Sequence, residues 1–186
     1  MDLRDSRWEG REFVRCSFVD SDLNAARTTN VVFTECDFTG ADLGESVHVG
    51  SAFRNCIFHR SSLWHSRFVR CTFLGSSISR ARLRPVTFEE TDLSLVGFGG
   101  ADLQGVELSG CRLREADLAG VDLRKAGLQG ADLTGARTGG LRLSGADLRG
   151  ARTDPQLWVT ADLAGARIDV SQALAFAAAH GLDIAE

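Results

Sequence analysis

A period of five residues runs through most of this chain. Counting every fifth residue from Leu3 to Ile168 gives 34 positions, of which 28 are Leu, Phe or Ile. Small residues concentrate two places before these positions, and glycine concentrates two places after them. A period of five fits neither the 3.6-residue period of an α-helix nor the two-residue alternation of a β-strand. Ordinary helices and strands are therefore not expected over this part of the chain.

Residues that lie 20 places apart also match one another. If each five-residue unit forms one side of a square coil, four units close a coil of about 20 residues, and side chains of successive coils stack. One stacked column would be leucine throughout: Leu3, Leu23, Leu43, Leu63, Leu83, Leu103, Leu123, Leu143 and Leu163. The sequence thus predicts an all-β solenoid of about eight coils over residues 1–168.

A short helix is predicted in residues 169–186, where the repeat has stopped. Asp169 or Ser171 is a suitable N-cap, and Gly181 follows the predicted end. The segment is rich in alanine and only about three turns long, so it needs tertiary packing to be stable. Its apolar residues are expected to pack on the last coil, on a second subunit, or on both.

The histidines and cysteines form no catalytic or metal-binding pattern. His48 occupies a large-residue position, where we expect it to be packed and hydrogen-bonded. The five cysteines fall in the small inward column, which predicts thiols in a dry interior: Cys16, Cys36, Cys56, Cys71 and Cys111. Motifs for phosphate binding or nucleophilic catalysis are absent from the sequence. We therefore expect no enzyme activity, no metal and no cofactor.

Charge and hydropathy argue against a nucleic-acid-binding protein and against a membrane protein. The chain has 21 Lys+Arg and 25 Asp+Glu, a net charge of −4, so no whole-molecule basic field is present to hold nucleic acid. Direct nucleic-acid binding is not expected. No apolar run approaches the ~20 residues that span a bilayer, and the first residues lack the apolar stretch of a secretory signal. These features predict a cytoplasmic protein without membrane contact.

Acidic residues are unevenly distributed. Residues 86–135 hold nine acids and four bases. In a coil of about 20 residues, several aspartates would form an acidic stripe beside the leucine column: Asp2, Asp22, Asp42, Asp102, Asp122 and Asp162. An aspartate in this place can instead bind the backbone amides of the corner. A structural role and a partner contact therefore both stay open.

The repeated Ala-Asp-Leu-x-Gly sequence, clearest at residues 101–105 and 131–135, resembles that of the pentapeptide repeat proteins. This resemblance implies a right-handed quadrilateral β-helix with a short C-terminal α-helix. Less regular segments, such as residues 50–56, 63–66 and 154–158, resemble the MfpA-like and Qnr-like fluoroquinolone-resistance branch of that family. The unbroken register leaves no room for the projecting loops of Qnr proteins, so a mechanism based on such loops is not expected here.

That branch implies a DNA mimic that binds DNA gyrase and modulates fluoroquinolone action, as a homodimer joined through C-terminal helices. B-DNA carries one charge per ~1.7 Å, far more than two chains of net charge −4 provide, so mimicry must be local. The resemblance and the charge pattern point to gyrase contacts at Glu90, Asp92, Asp102, Glu107, Asp117 and Asp122. The implied dimer interface contains Leu174, Phe176, Ala177 and Ala178. The alternative is a generic interaction scaffold of the same fold with a different protein partner.

Overall fold

The computed structural model describes residues 1–185, and most of its backbone winds as a four-sided parallel β-helix. Every isolated backbone bridge in the described chain joins two residues that are 20 places apart, from Asp2↔Asp22 to Asp147↔Arg167. The predicted solenoid with a 20-residue coil is therefore confirmed.

Each coil has four faces of five residues. Residues 1–5 of the first coil, and those at every 20 places after them, form what we call the leucine face; the second, third and fourth faces follow in chain order. The second face carries a five-stranded parallel sheet of β1 (Arg7–Glu9), β3 (Arg27–Thr29), β5 (Val47–Val49), β7 (Arg67–Val69) and β8 (Thr87–Glu89). The third face carries β2 (Glu12–Val14), β4 (Val32–Thr34) and β6 (Ala52–Arg54).

The chain turns at the residue that closes each five-residue unit. At the first corner, Ser6 N donates to Leu3 O at 3.2 Å, and Asp5 between them has a φ of 55°. The equivalent residue Gly40 has a φ of +68°. This left-handed conformation costs glycine less than any other residue, which explains why glycine concentrates in the corner column.

Large side chains from all four faces point inward and stack along the axis. The ring centroids of Phe33 and Phe53 are 4.9 Å apart, and Phe73 stacks on Phe53 at the same distance. The cysteines are free thiols, and four of the five are buried as predicted, while Cys16 is half-buried. Burial raises the pKa of Cys56 to about 12, so this thiol stays protonated at neutral pH. The interior is therefore filled and chemically inert.

Two helices interrupt and then close the β-helix. The five-residue repeat was expected to continue to Ile168, but α1 (Pro155–Thr160) replaces part of the wall. The physical reason is local. Pro155 has no N–H for a ladder hydrogen bond and is favourable at the first position of a helix. The following Leu157 and Trp158 are both buried instead of alternating inward and outward.

The second helix, α2 (Val170–Ala179), confirms the predicted C-terminal helix and settles its N-cap as Asp169. Asp169 Oδ1 accepts from Gln172 N, and Gln172 Oε1 accepts from Asp169 N, each at 3.0 Å. The buried Gln172 amide also donates to the carbonyls of Leu148 and Ala151, at 2.6 and 2.9 Å. These bonds fasten α2 to the last coil. Neither helix within residues 1–185 has the length and apolar character needed to cross a membrane.

Candidate protein-binding surface

The buried histidine has a structural role. His48 is almost fully buried, and its Nδ1 lies 2.7 Å from Thr28 Oγ1 while its Nε2 lies 2.9 Å from Ser46 Oγ. The ring stacks on Phe68 with centroids 4.7 Å apart. Burial lowers the pKa of His48 to about 3, so the imidazole is neutral at physiological pH. The expectation that it is packed and hydrogen-bonded is confirmed.

The described part of the chain offers no group of three His, Cys, Asp or Glu side chains placed to hold a metal ion. A groove of about 630 Å³ opens at the corner between the leucine face and the second face, and its lining includes Arg84, Gln104, Glu107 and Lys125. It lies where the wall parts: within residues 1–185 no bridge joins Arg82 to Asp102. The surface, rather than a pocket, must therefore be considered for function.

A cluster of acidic residues lies at the N-terminal end of the leucine face and its edge. This acidic end consists of Asp2, Asp5, Asp20, Asp22, Asp42 and Glu45. Backbone bridges place Asp2, Asp22 and Asp42 in one column. One base neutralises part of it: Arg4 Nη2 lies 3.0 Å from Asp2 Oδ2, and Arg4 Nε lies 3.3 Å from Asp22 Oδ2.

Four members of the acidic end stay unneutralised. Among the ion pairs of residues 1–185, none involves Asp5, Asp20, Asp42 or Glu45. The sequence indicated the column that contains Asp42, but placed the main contact surface in the middle of the chain. Two arginines of the same column, Arg82 and Arg142, interrupt the acidic stripe farther along the rod. Their positions in the sequence could have shown that the stripe is most acidic at its N-terminal end.

The six acids predicted to contact gyrase do not form one surface. Only Asp102 and Asp122 lie on the leucine face. The positions of the other four within the 20-residue coil place Glu90 and Glu107 on the second face, Asp92 on the third and Asp117 on the fourth.

Four of these six carboxylates are engaged by arginines of the same chain. Asp92 pairs with Arg112 at 3.1 Å, Asp102 with Arg84 at 2.9 Å, and Asp117 with Arg137 at 3.3 Å. Asp122 is held by two arginines, Arg124 and Arg142.

Asp122 is only 4% exposed. Its Oδ2 accepts from Arg124 Nη2 at 2.7 Å and lies 3.3 Å from Arg142 Nη2. The hydrogen bond from Arg124 is the main cause that holds the pKa of Asp122 below its usual value. Asp122 therefore stabilises the wall, and its carboxylate is not presented to a partner.

Glu90 and Glu107 are the two predicted contacts that form no ion pair in the described chain. Both are exposed. Glu107 accepts a hydrogen bond from Ser109 Oγ at 3.3 Å. Both lie on the second face but at its opposite edges, Glu90 at the corner that leads to the third face and Glu107 beside the groove next to the leucine face.

The C-terminal end of the rod exposes apolar side chains. Leu174 is 48% exposed and Phe176 37% exposed, and Ala178 is also exposed while Ala177 is half-buried. Phe176 also borders an apolar groove of about 340 Å³, together with Trp158, Leu163, Ala164, Ala166 and Ile168. The predicted dimer-interface residues thus lie at an end that is available for contact.

The repeats of this chain match those of a known protein family. The family model for pentapeptide repeats matches with eight copies, over residues 12–47, 98–137 and 128–152. No curated protein sequence matches the chain.

Among solved structures, a trypsin-treated variant of QnrB1, a plasmid-mediated fluoroquinolone resistance protein, has a TM-score of 0.60 and 22% identity, covering 96% of this chain and 97% of that chain. Full-length QnrB1 gives a TM-score of 0.59 and 20% identity, with 92% and 100% covered. At these identities the likeness concerns the fold. By its repeats and its fold, the chain belongs to the pentapeptide repeat family.

Proposed function

We propose that this protein is a local DNA mimic that binds DNA gyrase, inhibits or modulates it, and protects it from fluoroquinolones. The observation that carries the proposal is the acidic end of the leucine face, where six carboxylates surround the single base Arg4. This proposal also draws on the resemblance to the fluoroquinolone-resistance branch of the family.

The spacing of the acidic end suits a surface that binds DNA. Successive coils of a parallel β-helix are ~4.8 Å apart, so the column of Asp2, Asp22 and Asp42 carries one carboxylate per ~4.8 Å of the rod. One strand of B-DNA carries one phosphate per ~3.4 Å of its axis. Arg4 removes one charge from this column, but Asp5, Asp20 and Glu45 beside it add three, so the acidic end as a whole keeps a net negative charge that a cationic groove on gyrase can bind.

The contact set that follows from the pairing pattern differs from the six acids proposed on sequence alone. Its centre is the acidic end. Glu90 and Glu107 are a second set of contacts, because their carboxylates have no arginine partner among the described residues. Asp102 contributes less, because Arg84 neutralises it. Asp122 is removed from the contact set because it is buried.

We further propose that two copies form a homodimer through α2. Leu174 and Phe176 would provide the apolar centre of a two-fold contact, with Ala177 and Ala178 allowing close approach. A surface that pairs with its own copy gives a closed dimer. Because α2 caps the last coil, the two rods would extend in opposite directions, over about 80 Å, since eight steps of ~4.8 Å give roughly 40 Å for each rod.

Binding, not catalysis, is the activity that this surface supports. The interior is filled by stacked side chains, and the groove between the leucine face and the second face is an open surface feature whose charged and polar lining, Arg84, Gln104, Glu107 and Lys125, suits binding. We infer that the protein acts in the cytoplasm as a non-enzymatic partner of gyrase.

Direct binding to immobilised gyrase tests the proposal. Reversing Asp42→Lys together with Glu45→Lys should weaken binding at least tenfold at physiological salt, while Glu12→Lys with Glu35→Lys on the third face, the same change of charge, should leave it nearly unchanged. Equal effects of the two double variants would contradict a specific acidic contact.

The alternative, an interaction scaffold with another protein partner, is favoured by one observation. Four of the six acids expected to imitate DNA are paired with arginines of the same chain. A folded wild-type protein that does not bind gyrase at micromolar concentration would exclude gyrase as the partner and favour this alternative.

A further inference from the structure

A band of arginines lies next to the acidic end, and the DNA-mimic model does not use it. Residues 46–88 contain seven arginines and no Asp or Glu. The net charge of the whole chain hides this band because acids on both sides compensate it. Four of the seven lie on the leucine face or its edge: Arg60, Arg80, Arg82 and Arg84. We call these four the arginine band.

The register of the coils leaves the arginine band largely unneutralised. Elsewhere in the wall, an arginine often pairs with the aspartate one coil earlier, as Arg142 does with Asp122 at 3.3 Å and Arg167 with Asp147 at 3.3 Å. Arg82 instead has Ser62 one coil earlier.

Of the band, Arg84 is the member with an ion pair in the described chain, to Asp102. The Arg82 guanidinium lies 4.9 Å from the centroid of the Trp64 ring, a cation–π contact that orders the side chain and keeps its charge. In the wall beyond Arg82, the bridge to Asp102 is missing among residues 1–185. The positive charge of the band is therefore available to a partner.

Most of the arginine band lies far enough from the acidic end to be recognised separately, and Arg60, which is about one coil beyond Asp42, forms the boundary between the two patches. Arg82 lies two coils from Asp42 in the same column, a separation of ~10 Å. The Debye length at physiological ionic strength is ~8 Å, so a charge on a partner interacts mainly with the nearer patch. A uniformly cationic surface would be attracted to the acidic end and repelled by the arginine band.

We propose that the surface of gyrase that binds the leucine face carries both signs of charge, cationic opposite the acidic end and acidic opposite the arginine band. This inference rests on the proposed function and deepens it: the protein imitates DNA over its first coils, and the arginine band fixes position and orientation by binding carboxylates beside the DNA-binding groove. Charge complementarity of this kind sets register and excludes wrong partners.

The proposal predicts whether gyrase affinity rises or falls when two arginines of the band are replaced by glutamate. Arg60→Glu with Arg80→Glu changes two corner positions where the chain already accepts glutamate, as Glu45 and Glu90 show with similar φ values of 57° and 49°. We expect about a tenfold loss of affinity, since two attractive contacts become repulsive. The matched control, Arg11→Glu with Arg15→Glu on the third face, should bind like the wild type.

Each other result overturns the inference in a distinct way. Tighter binding of the Arg60/Arg80 variant would show a uniformly cationic partner surface, and the proposed function would stand without the inference. Affinity equal to that of the Arg11/Arg15 control would show that the arginine band contacts nothing. A wild-type protein that does not bind gyrase would overturn the proposed function and this inference together.

Discussion

Arg124 holds the carboxylate of Asp122 in a two-point contact, with Nε 2.9 Å from Oδ1 and Nη2 2.7 Å from Oδ2. Asp147 and Arg149 repeat this geometry on the second face, at 2.9 and 2.7 Å. In both cases the arginine follows the aspartate by two residues and directly precedes the corner residue, Lys125 or Gly150, so the pair fixes the chain as it enters a corner. Bidentate, charge-assisted contacts of this kind are among the stronger hydrogen bonds in proteins. These aspartates therefore stabilise corners of the β-helix.

Asp122→Asn is expected to reduce stability without reducing gyrase binding. Loss of the charge-assisted contact should lower the free energy of unfolding by about 1–2 kcal/mol, measured by urea denaturation. Asp42→Asn provides the reverse case, because Asp42 is exposed and its bond from Gly44 N, at 2.9 Å, can also be made by asparagine. This second variant should keep wild-type stability and lose gyrase affinity. The same profile for both variants would contradict the division between structural and contact carboxylates.

Acid should destabilise the protein through its paired aspartates. The hydrogen bond from Arg149 lowers the pKa of Asp147 from 3.8 to about 2. A carboxyl group whose pKa is lower in the folded state stabilises that state above its unfolded pKa, and the stabilisation is lost as pH falls through the folded pKa. We therefore expect the free energy of unfolding to fall between about pH 4 and pH 2, and to fall less steeply in Asp147→Asn. Parallel curves for the two proteins would contradict this role.

His48 should make the protein less stable in mild acid. Because its pKa is about 3 in the folded protein and near 6.5 when exposed, the unfolded chain binds the proton more readily. Stability should therefore decrease as pH falls from about 6.5 to 4. His48→Phe keeps the stacking column and should flatten this part of the curve, and an unchanged slope in this variant would contradict the role of His48. Thermal unfolding across this pH range measures both slopes.

A charge at the centre of the proposed dimer contact should produce monomers. Phe176→Asp places a carboxylate where two apolar surfaces would meet, and sedimentation should then show the mass of one chain, about 20.0 kDa. Leu95→Asp is the control: Leu95 is 51% exposed at a corner with a φ of 60°, which aspartate tolerates. It should leave a dimer intact. A Phe176→Asp variant that sediments like the wild type would exclude α2 as the interface.

The sequence predicted the coil length, the inward columns and the C-terminal cap because a five-residue period has a direct geometric meaning. It did not predict α1, because Trp158 still fits the large column and Pro155 falls at a corner position, so Gln156 in the small column was the main departure from the repeat. The contact acids were the least predictable. Whether a carboxylate is free depends on an arginine two residues later, as at Asp122, or one coil away, as at Asp92. The first of these signals is visible in the sequence as Asp-x-Arg, but the second requires the coil register.

The most direct test of gyrase recognition is a supercoiling assay with purified DNA gyrase, titrated with this protein in the presence and absence of a fluoroquinolone. We predict inhibited supercoiling, fewer drug-stabilised cleavage complexes, and loss of both effects in Asp42→Lys with Glu45→Lys. Unchanged supercoiling and unchanged cleavage at a many-fold excess of folded protein would contradict the proposal that it binds gyrase as a DNA mimic.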